Sequence, residues 1–299
     1  MTDQEKNRVE GGTLYLVATP IGNLSDMTER GRKVLSECDF IAAEDTRNTA
    51  GLLAYFGIRR ELVSYHEHNK KSRGEELCAR LLAGESCALV TDAGMPAISD
   101  PGEDLVRLCA ERGIRVSIIP GACAAVSALA LSGLSTARFA FEGFLSAERG
   151  ERRKRLREIA DERRTLIFYE APHKLRATLA DLAETFGGER RIALCRELTK
   201  RNEEILRTTL ADAVRYYEER EPRGEYVLVL AGAAEATGEE YRPPVAPELL
   251  SLSPEEHIAH YTAAGLSRMD AIKAAARDRG MTKSELYRIV NAKKDAPDL

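Results

Sequence analysis

Residues 91–102 read TDAGMPAISDPG, and the reading of this stretch decides the fold. The run before it, Cys87–Val90, is apolar and of strand length, and Pro101–Arg112 after it has helical spacing. The stretch is therefore a loop that leaves the carboxyl end of a strand and enters a helix, the place where ligands bind in open α/β sheets. Asp92 stands at the strand end, where its carboxylate can face a ribose or an ammonium group, and Gly94 permits close backbone approach. Ser99 or Asp100 can cap the next helix, with Pro101 at its first position. Capping alone explains Ser99–Pro101. It does not explain Asp92–Pro96, which reads as functional.

Outward from this loop, strand-like and helix-like segments alternate. Thr13–Ala18, Phe40–Ala43, Leu62–Tyr65 and Arg115–Ile118 read as strands, and Thr28–Cys38, Arg47–Phe56 and Ser72–Ala83 as helices between them. Alternation of this kind predicts an α/β fold with a largely parallel sheet. The pattern then restarts. Phe139–Glu142, Thr165–Tyr169, Arg191–Arg196 and Glu225–Leu230 read as strands, and Glu148–Glu162, Pro172–Phe186 and Leu210–Glu219 as helices. The expectation is two α/β domains with a cleft between them, residues 13–135 and 136–232, the seam near Ser132–Arg138. Residues 1–12 read as a flexible tail. Residues 233–250, with Glu239-Glu240, Pro243-Pro244 and Pro247, have linker composition. Ser253–Ala264, Ser267–Arg279 and Thr282–Ala292 form three short helical patterns, a helix-turn-helix-like domain over 251–295.

Composition narrows the class. Over 299 residues the formal net charge is -4, which argues against a protein that coats nucleic acid with its whole surface but allows a local basic patch. The six cysteines form no Cys-x-x-Cys pair and sit among apolar residues, which reads as reduced, buried thiols in the cytoplasm. Met1–Glu10 has no apolar core, so it is not a signal peptide. Val116–Ala137 carries no charge, but Pro120-Gly121 and its serines make it a buried strand, a turn and a small-residue helix rather than a membrane span.

Two further loops follow strands. Val17–Asp26, VATPIGNLSD, turns at Pro20, Gly22 and Asn23, and it is not the Gly-x-Gly-x-x-Gly of a dinucleotide site. Ile119–Leu131, IPGACAAVSALAL, turns at Pro120-Gly121 into a helix of small residues, for which core packing is the simpler reading. The three loops, in this order and spacing, resemble the tetrapyrrole methylase superfamily of S-adenosylmethionine-dependent enzymes. Glu44-Asp45-Thr46-Arg47, Tyr65-His66-Glu67-His68-Asn69, Tyr169-Glu170-Ala171-Pro172-His173, Glu197-Leu198-Thr199-Lys200 with Glu203-Glu204, and Arg223-Gly224-Glu225-Tyr226 make the chain similar to the members that act on small-subunit ribosomal RNA. The resemblance covers about Thr13 to Gly232, and the helical tail matches as well. Ala18 stands where a glycine is usual and would crowd the first turn; Lys174 stands where an arginine is common and lacks its planar fork.

The resemblance implies 2′-O-methylation of a cytidine in small-subunit (16S) ribosomal RNA, by direct in-line transfer without a covalent intermediate. It implies a homodimer. The scattered cysteines and the absence of a signal peptide or membrane span point to a cytoplasmic enzyme not associated with membranes, and the negative net charge favours the assembled subunit as partner, with naked RNA left open. By motif match, the S-adenosylmethionine site would use Pro20, Asp92, Ala93, Gly94, Ile98, Ser99, Tyr169, Ala171, Leu198 and Gly224. A ribose hydroxyl is a weak nucleophile, and the candidate bases are Glu44, Asp45, His66, His68 and Lys200, with no choice among them. Arg47, His173, Lys174 and Arg196 would contact RNA. If the segment is extended, His66 and His68 share one side and Glu67 the other. A metal at His66-Glu67-His68 would lack a third ligand, and no metal site is expected. Glu44-Asp45 reads equally as a solvated helix N-terminus. Arg149–Arg164 holds eight basic residues against four acidic, either an RNA face or a solvated helix laced by Glu148–Arg152 and Glu151–Arg155 pairs. The tail, with eight basic and seven acidic residues over Ser251–Leu299, leaves RNA recognition there open. Two rivals stand beside this reading. A tetrapyrrole methylase would show Gly-x-Gly-Pro-Gly-Asp in the first loop, where this chain has Thr19-Pro20-Ile21-Gly22-Asn23. A non-catalytic RNA-binding protein would bind ribosomes regardless of the cofactor.

Overall fold

The computed structural model describes residues 8–233 and 247–292. They fall into two compact units, one within Met1–Glu240 and one within Tyr241–Leu299. The first seven residues and most of the expected linker lie outside the described residues.

The first unit begins with β1 (Thr13–Val17), α1 (Glu29–Glu37), β2 (Phe40–Ala43), α2 (Thr46–Tyr55), β3 (Glu61–Ser64), α3 (Lys70–Leu82), β4 (Cys87–Val90), α4 (Gly102–Glu111) and β5 (Arg115–Ile119). These strands form a sheet in the order β3-β2-β4-β1-β5, parallel throughout. Its residues alternate between two apolar layers, as a period of two requires. Leu14 and Leu16 pack with Leu77 and Leu81 of α3 and Leu105 of α4, whereas Tyr15 and Val17 pack with Val34 and Leu35 of α1 and Leu53 of α2. A sheet buried on both faces explains why its strands read as nearly continuous apolar runs.

α5 (Ala124–Ser132) follows, and then β6 (Phe139–Phe144), α6 (Arg149–Glu158), β7 (Thr165–Glu170), α7 (Pro172–Phe186), β8 (Arg191–Arg196), β9 (Glu204–Thr209), α8 (Leu210–Glu218) and β10 (Tyr226–Leu230). The second sheet runs β6-β7-β10-β8-β9. The expectation of a largely parallel sheet fails here, because only β6 and β7 pair in parallel and the other three pairings are antiparallel. β9 was not expected. It is a half-buried edge strand that pairs with β8 over Arg191–Arg196 with no helix between them, so neither a continuous apolar run nor a crossover marks it. The small-residue helix α5 sits on this second sheet, where Ala125, Ala128 and Leu129 meet Ile167, Ala193, Val227 and Val229.

α6 ends at Glu158, four residues before the expected end, and its expected ion pairs do not form. Arg152 turns inward instead. It is 5% exposed and pairs with the buried Asp181 of α7 at 2.7 Å while donating to the carbonyls of Ser146 and Ala147. Arg155 pairs with Glu142 and Glu158. Part of the basic run therefore holds the fold.

The second unit contains α9 (Pro247–Ser251), α10 (Pro254–Ala263), α11 (Arg268–Asp278) and α12 (Lys283–Ala292). α9 is a short helix where linker composition was read; the other three match the expected tail helices. Ser253 and Glu256 form a capping box at the start of α10, and Ile258, Ile272, Ala275 and Leu286 make a small core. No helix among the described residues is long and apolar enough to cross a membrane.

Arg152 gives the first test. Arg152→Met removes the buried partner of Asp181 and leaves it only the longer contacts to Arg149 and Arg153, at 3.7 and 3.5 Å, so the protein should lose about 3 kcal/mol of stability in urea denaturation. Unchanged stability would mean that the flanking Arg149 and Arg153 carry the charge balance alone.

Candidate active site

Three loops converge at the carboxyl ends of β1, β4 and β5. Thr19 N–H donates to the Gly94 carbonyl at 2.9 Å and Gly94 N–H returns a bond to the Thr19 carbonyl at 3.1 Å. The Thr19 hydroxyl adds a third bond, to the Thr91 carbonyl at 3.1 Å. Gly94 has φ 88°, and a Cβ there would lie 3.2 Å from Ile21 Cγ2 and 3.4 Å from the Ala122 carbonyl, so all three loops meet at a residue that must lack a side chain. Ala18 crowds nothing, because its Cβ fills the space that Gly121 leaves open.

Asp100, rather than Ser99, holds the second loop. Its Oδ1 accepts from Ala97 N–H at 3.0 Å and Gly102 N–H at 2.7 Å, and Pro101 takes the cap position, one place before the first helical residue. The buried Tyr65 donates to the Pro101 carbonyl at 3.2 Å. The Tyr65–Asn69 segment is a turn, not an extended strand. Asn69 Oδ1 accepts from His66 N–H and its amide donates to the Ser64 carbonyl, so the expected alternation of His66, Glu67 and His68 does not apply. The two rings meet edge to face at 5.9 Å.

The facing wall comes from the second sheet. Tyr169 packs on Phe141 and Phe144, and its hydroxyl accepts from Ala125 N–H at 3.2 Å. Lys200 Nζ donates to Glu197 at 2.9 Å and Glu225 at 2.7 Å, and Glu225 N–H donates to the same Glu197 oxygen at 2.9 Å. Gly224, at φ 76°, makes this clasp possible, since a Cβ would lie 2.4 Å from Glu197 Cγ. The stem of Lys200 in turn lies where a Gly22 side chain would be.

Among the described residues, the non-glycines with positive φ are Ala97, Ser99, Glu197 and Thr199, all in these two facing loops. Such conformations cost about 1–3 kcal/mol each and persist where the surroundings over-determine them. The loops enclose a cleft of about 590 Å³. Of the residues matched to the cofactor site, Asp92, Ala93, Gly94, Ile98, Ser99, Tyr169, Ala171 and Leu198 line it. Pro20 lines a neighbouring groove, and Gly224 acts through Glu197. Of the candidate bases, Glu44 and Lys200 reach the cleft; Asp45, His66 and His68 do not. Asp45 caps α2 and is held down to about 2 by its hydrogen bonds from Arg47.

Lys200 is ill suited to accept a proton. Burial works against its charge, but Glu225 and Glu197 outweigh burial and raise its pKa above the ordinary lysine value. The clasp therefore contributes stability below the unfolded lysine value of about 10.4 and loses it as the pH rises through the raised one.

The expected RNA contacts are dispersed. His173 lines the cleft. Lys174 lies 3.4 Å from the buried Glu170 and over the Phe144 ring. Arg196 donates to the Arg223 carbonyl and to Glu204. Arg47 is 89% exposed in its side chain and bound to Asp45. Sequence reasoning missed Ile21, Phe144, Glu197 and Glu225 as wall residues, although the last two lie inside recognised motifs. Five cysteines are buried, and the half-buried Cys123 lines the cleft.

An α/β chain with a strained two-walled cleft at its strand ends has known counterparts. Residues 13–214 match the model of the tetrapyrrole (corrin/porphyrin) methylases. A relative from Halalkalibacterium halodurans named ribosomal RNA small subunit methyltransferase I is 50% identical over 95% of this chain and 96% of its own length. A second protein of that name, from Synechocystis, is 48% identical over 93% of this chain and 97% of its own. Among solved structures, a uroporphyrin-III C-methyltransferase from Thermus thermophilus complexed with S-adenyl homocysteine aligns with TM-score 0.52 at 18% identity, over 76% of this chain and 99% of its own. The chain belongs to the tetrapyrrole methylase family, and within it to the group of ribosomal RNA small subunit methyltransferase I.

Gly224 provides a test of the clasp. Gly224→Ala should displace Glu197, leave Lys200 with Glu225 alone and lower stability by about 3 kcal/mol, the sum of a left-handed alanine and a lost charged hydrogen bond. Wild-type stability in urea would show that the clasp tolerates a side chain there.

Proposed function

We propose that this chain is an S-adenosylmethionine-dependent methyltransferase that places a methyl group on the ribose 2′ hydroxyl of a cytidine in small-subunit ribosomal RNA, within the assembled subunit. In this reading it works in the cytoplasm as a homodimer. The observation that carries the reading is identity of about half over nearly the whole length with relatives named for small-subunit ribosomal RNA methylation.

The cleft suits the cofactor on physical grounds. Its volume falls within the roughly 300–1,000 Å³ of small-molecule sites. Its walls combine apolar Ile98, Leu198 and Val227 with the carboxylates of Glu44 and Asp92, whose hydrogen-bond partners are the neutral Thr91 and Asn48 rather than a cation. The cofactor supplies an electrophilic methyl group on a sulfonium, so the protein contributes position and proton transfer. Glu44 is the base of this proposal. It lines the cleft at the start of α2, and the Thr91 hydroxyl fixes its Oε2 at 2.9 Å. The opposite wall carries the Lys200 clasp and the hydrogen-bonding ring of His173.

Mass mapping of the RNA extracted from small ribosomal subunits treated with the purified protein and S-adenosylmethionine tests the reading. One added methyl on a cytidine ribose is expected; a base methyl, or none, would overturn the assignment. Glu44→Gln should lower kcat by roughly 10²-fold while leaving cofactor affinity within a factor of two. A wild-type kcat in that variant would remove Glu44 from the reaction.

A further inference from the structure

A second cavity of about 410 Å³ adjoins the cleft and shares Thr91 and Asp92 with it. Its wall is one face of α2, where Asn48, Gly51 and Tyr55 follow one another at helical spacing, and Leu24 stands opposite. The mechanism described above uses neither Gly51, Tyr55 nor Leu24, and Asn48 only through its bond to Asp92. Tyr55 is a large aromatic residue left 66% exposed, and the edge of a neighbouring ring, Phe56 at 5.0 Å, steadies it. Gly51 keeps the wall open, since a Cβ there would meet nothing within 4 Å. Asn48 Nδ2 donates to Asp92 Oδ2 at 3.1 Å, so the polar end of the groove is joined to the cleft.

We infer that this groove is the seat of one unstacked nucleoside of the RNA substrate, an inference that rests on the methyltransferase reading above. Proteins that recognise one nucleotide of RNA take it from single-stranded loops and bulges, where a splayed base is held by aromatic stacking and by hydrogen bonds to its edge. Tyr55 supplies the ring face, Leu24 the apolar partner, and Asn48 an amide with both donors and an acceptor. Gly51 leaves room for the base. A nucleoside seated here has its sugar toward Thr91 and Asp92, the wall common to both cavities. Arg47, exposed on the same helix, meets the attached phosphate.

The test uses the full chain with labelled S-adenosylmethionine and purified small ribosomal subunits, and calorimetry with the cofactor alone. Gly51→Leu fills the groove at an exposed helical position where leucine is a better helix former, so folding is retained. Tyr55→Ala removes the ring. Both variants should bind the cofactor within a factor of two of wild type and lose roughly tenfold or more in kcat/KM for the subunit, the scale of one lost base stack. If the wild-type protein methylates the subunit and both variants match it, the groove is not the nucleoside seat and the methyltransferase reading stands. If the wild-type protein binds the cofactor but methylates no RNA, both fall together.

Discussion

The paired backbone bonds between Thr19 and Gly94 are the constraint on which the site depends. Strand ends in a parallel sheet leave loops with unpaired backbone groups, and here two of those loops satisfy each other in a single isolated antiparallel bridge. Because Gly94 also abuts Ile21 and the Ala122 carbonyl, the bridge fixes the loops after β1, β4 and β5 at once. The strained residues Ala97 and Ser99 follow directly, and the double acceptance by Asp100 holds them in place. Across the cleft, Glu197 does the equivalent work for the second strained turn. Both walls are thus preorganised by hydrogen bonds made before any ligand arrives.

Charge is spent inwardly to a degree that composition hides. Arg152 balances Asp181, Lys174 lies against the buried Glu170, Arg196 clamps the Arg223 carbonyl, and Lys200 is held between two carboxylates. A basic count along the chain therefore overstates the charge available to an RNA backbone. The acidic residues on the cleft wall fall into two kinds as well. Glu197 and Glu225 share the single positive charge of Lys200, whereas Glu44 and Asp92 are bonded by a hydroxyl and an amide. This division separates a structural set from a set suited to a cation.

How much of this was legible in the sequence follows from the range of the interactions involved. The first sheet was readable because its inner strands β2, β4 and β1 are buried along their whole length and so are nearly continuous apolar runs bounded by turn residues, whereas β3 and β5 at its edges are more exposed. The second sheet hid its antiparallel ladder, since pairing direction leaves no local mark, and β9 is a half-buried edge strand with mixed composition. The loops at 17–26 and 91–102 stood out through residues whose special backbone needs are local, such as Gly94 and Pro101. The reason for Gly224 was not local. It lies in the side chain of Glu197, 27 residues earlier in the chain. The turn at Tyr65–Asn69 forms because Asn69 bonds back to His66 through its side chain, a competition that residue type alone does not settle, so the extended alternative stayed open in the sequence.

The central claim is that the two-walled cleft holds the cofactor. A crystal structure of the protein with S-adenosylhomocysteine tests it most directly. The account predicts the ligand between the loop at residues 91–100 and the loop at 195–200, in contact with Asp92 and Leu198, with the Thr19–Gly94 bridge unchanged. A ligand seated elsewhere, or one that breaks that bridge to enter, would contradict it.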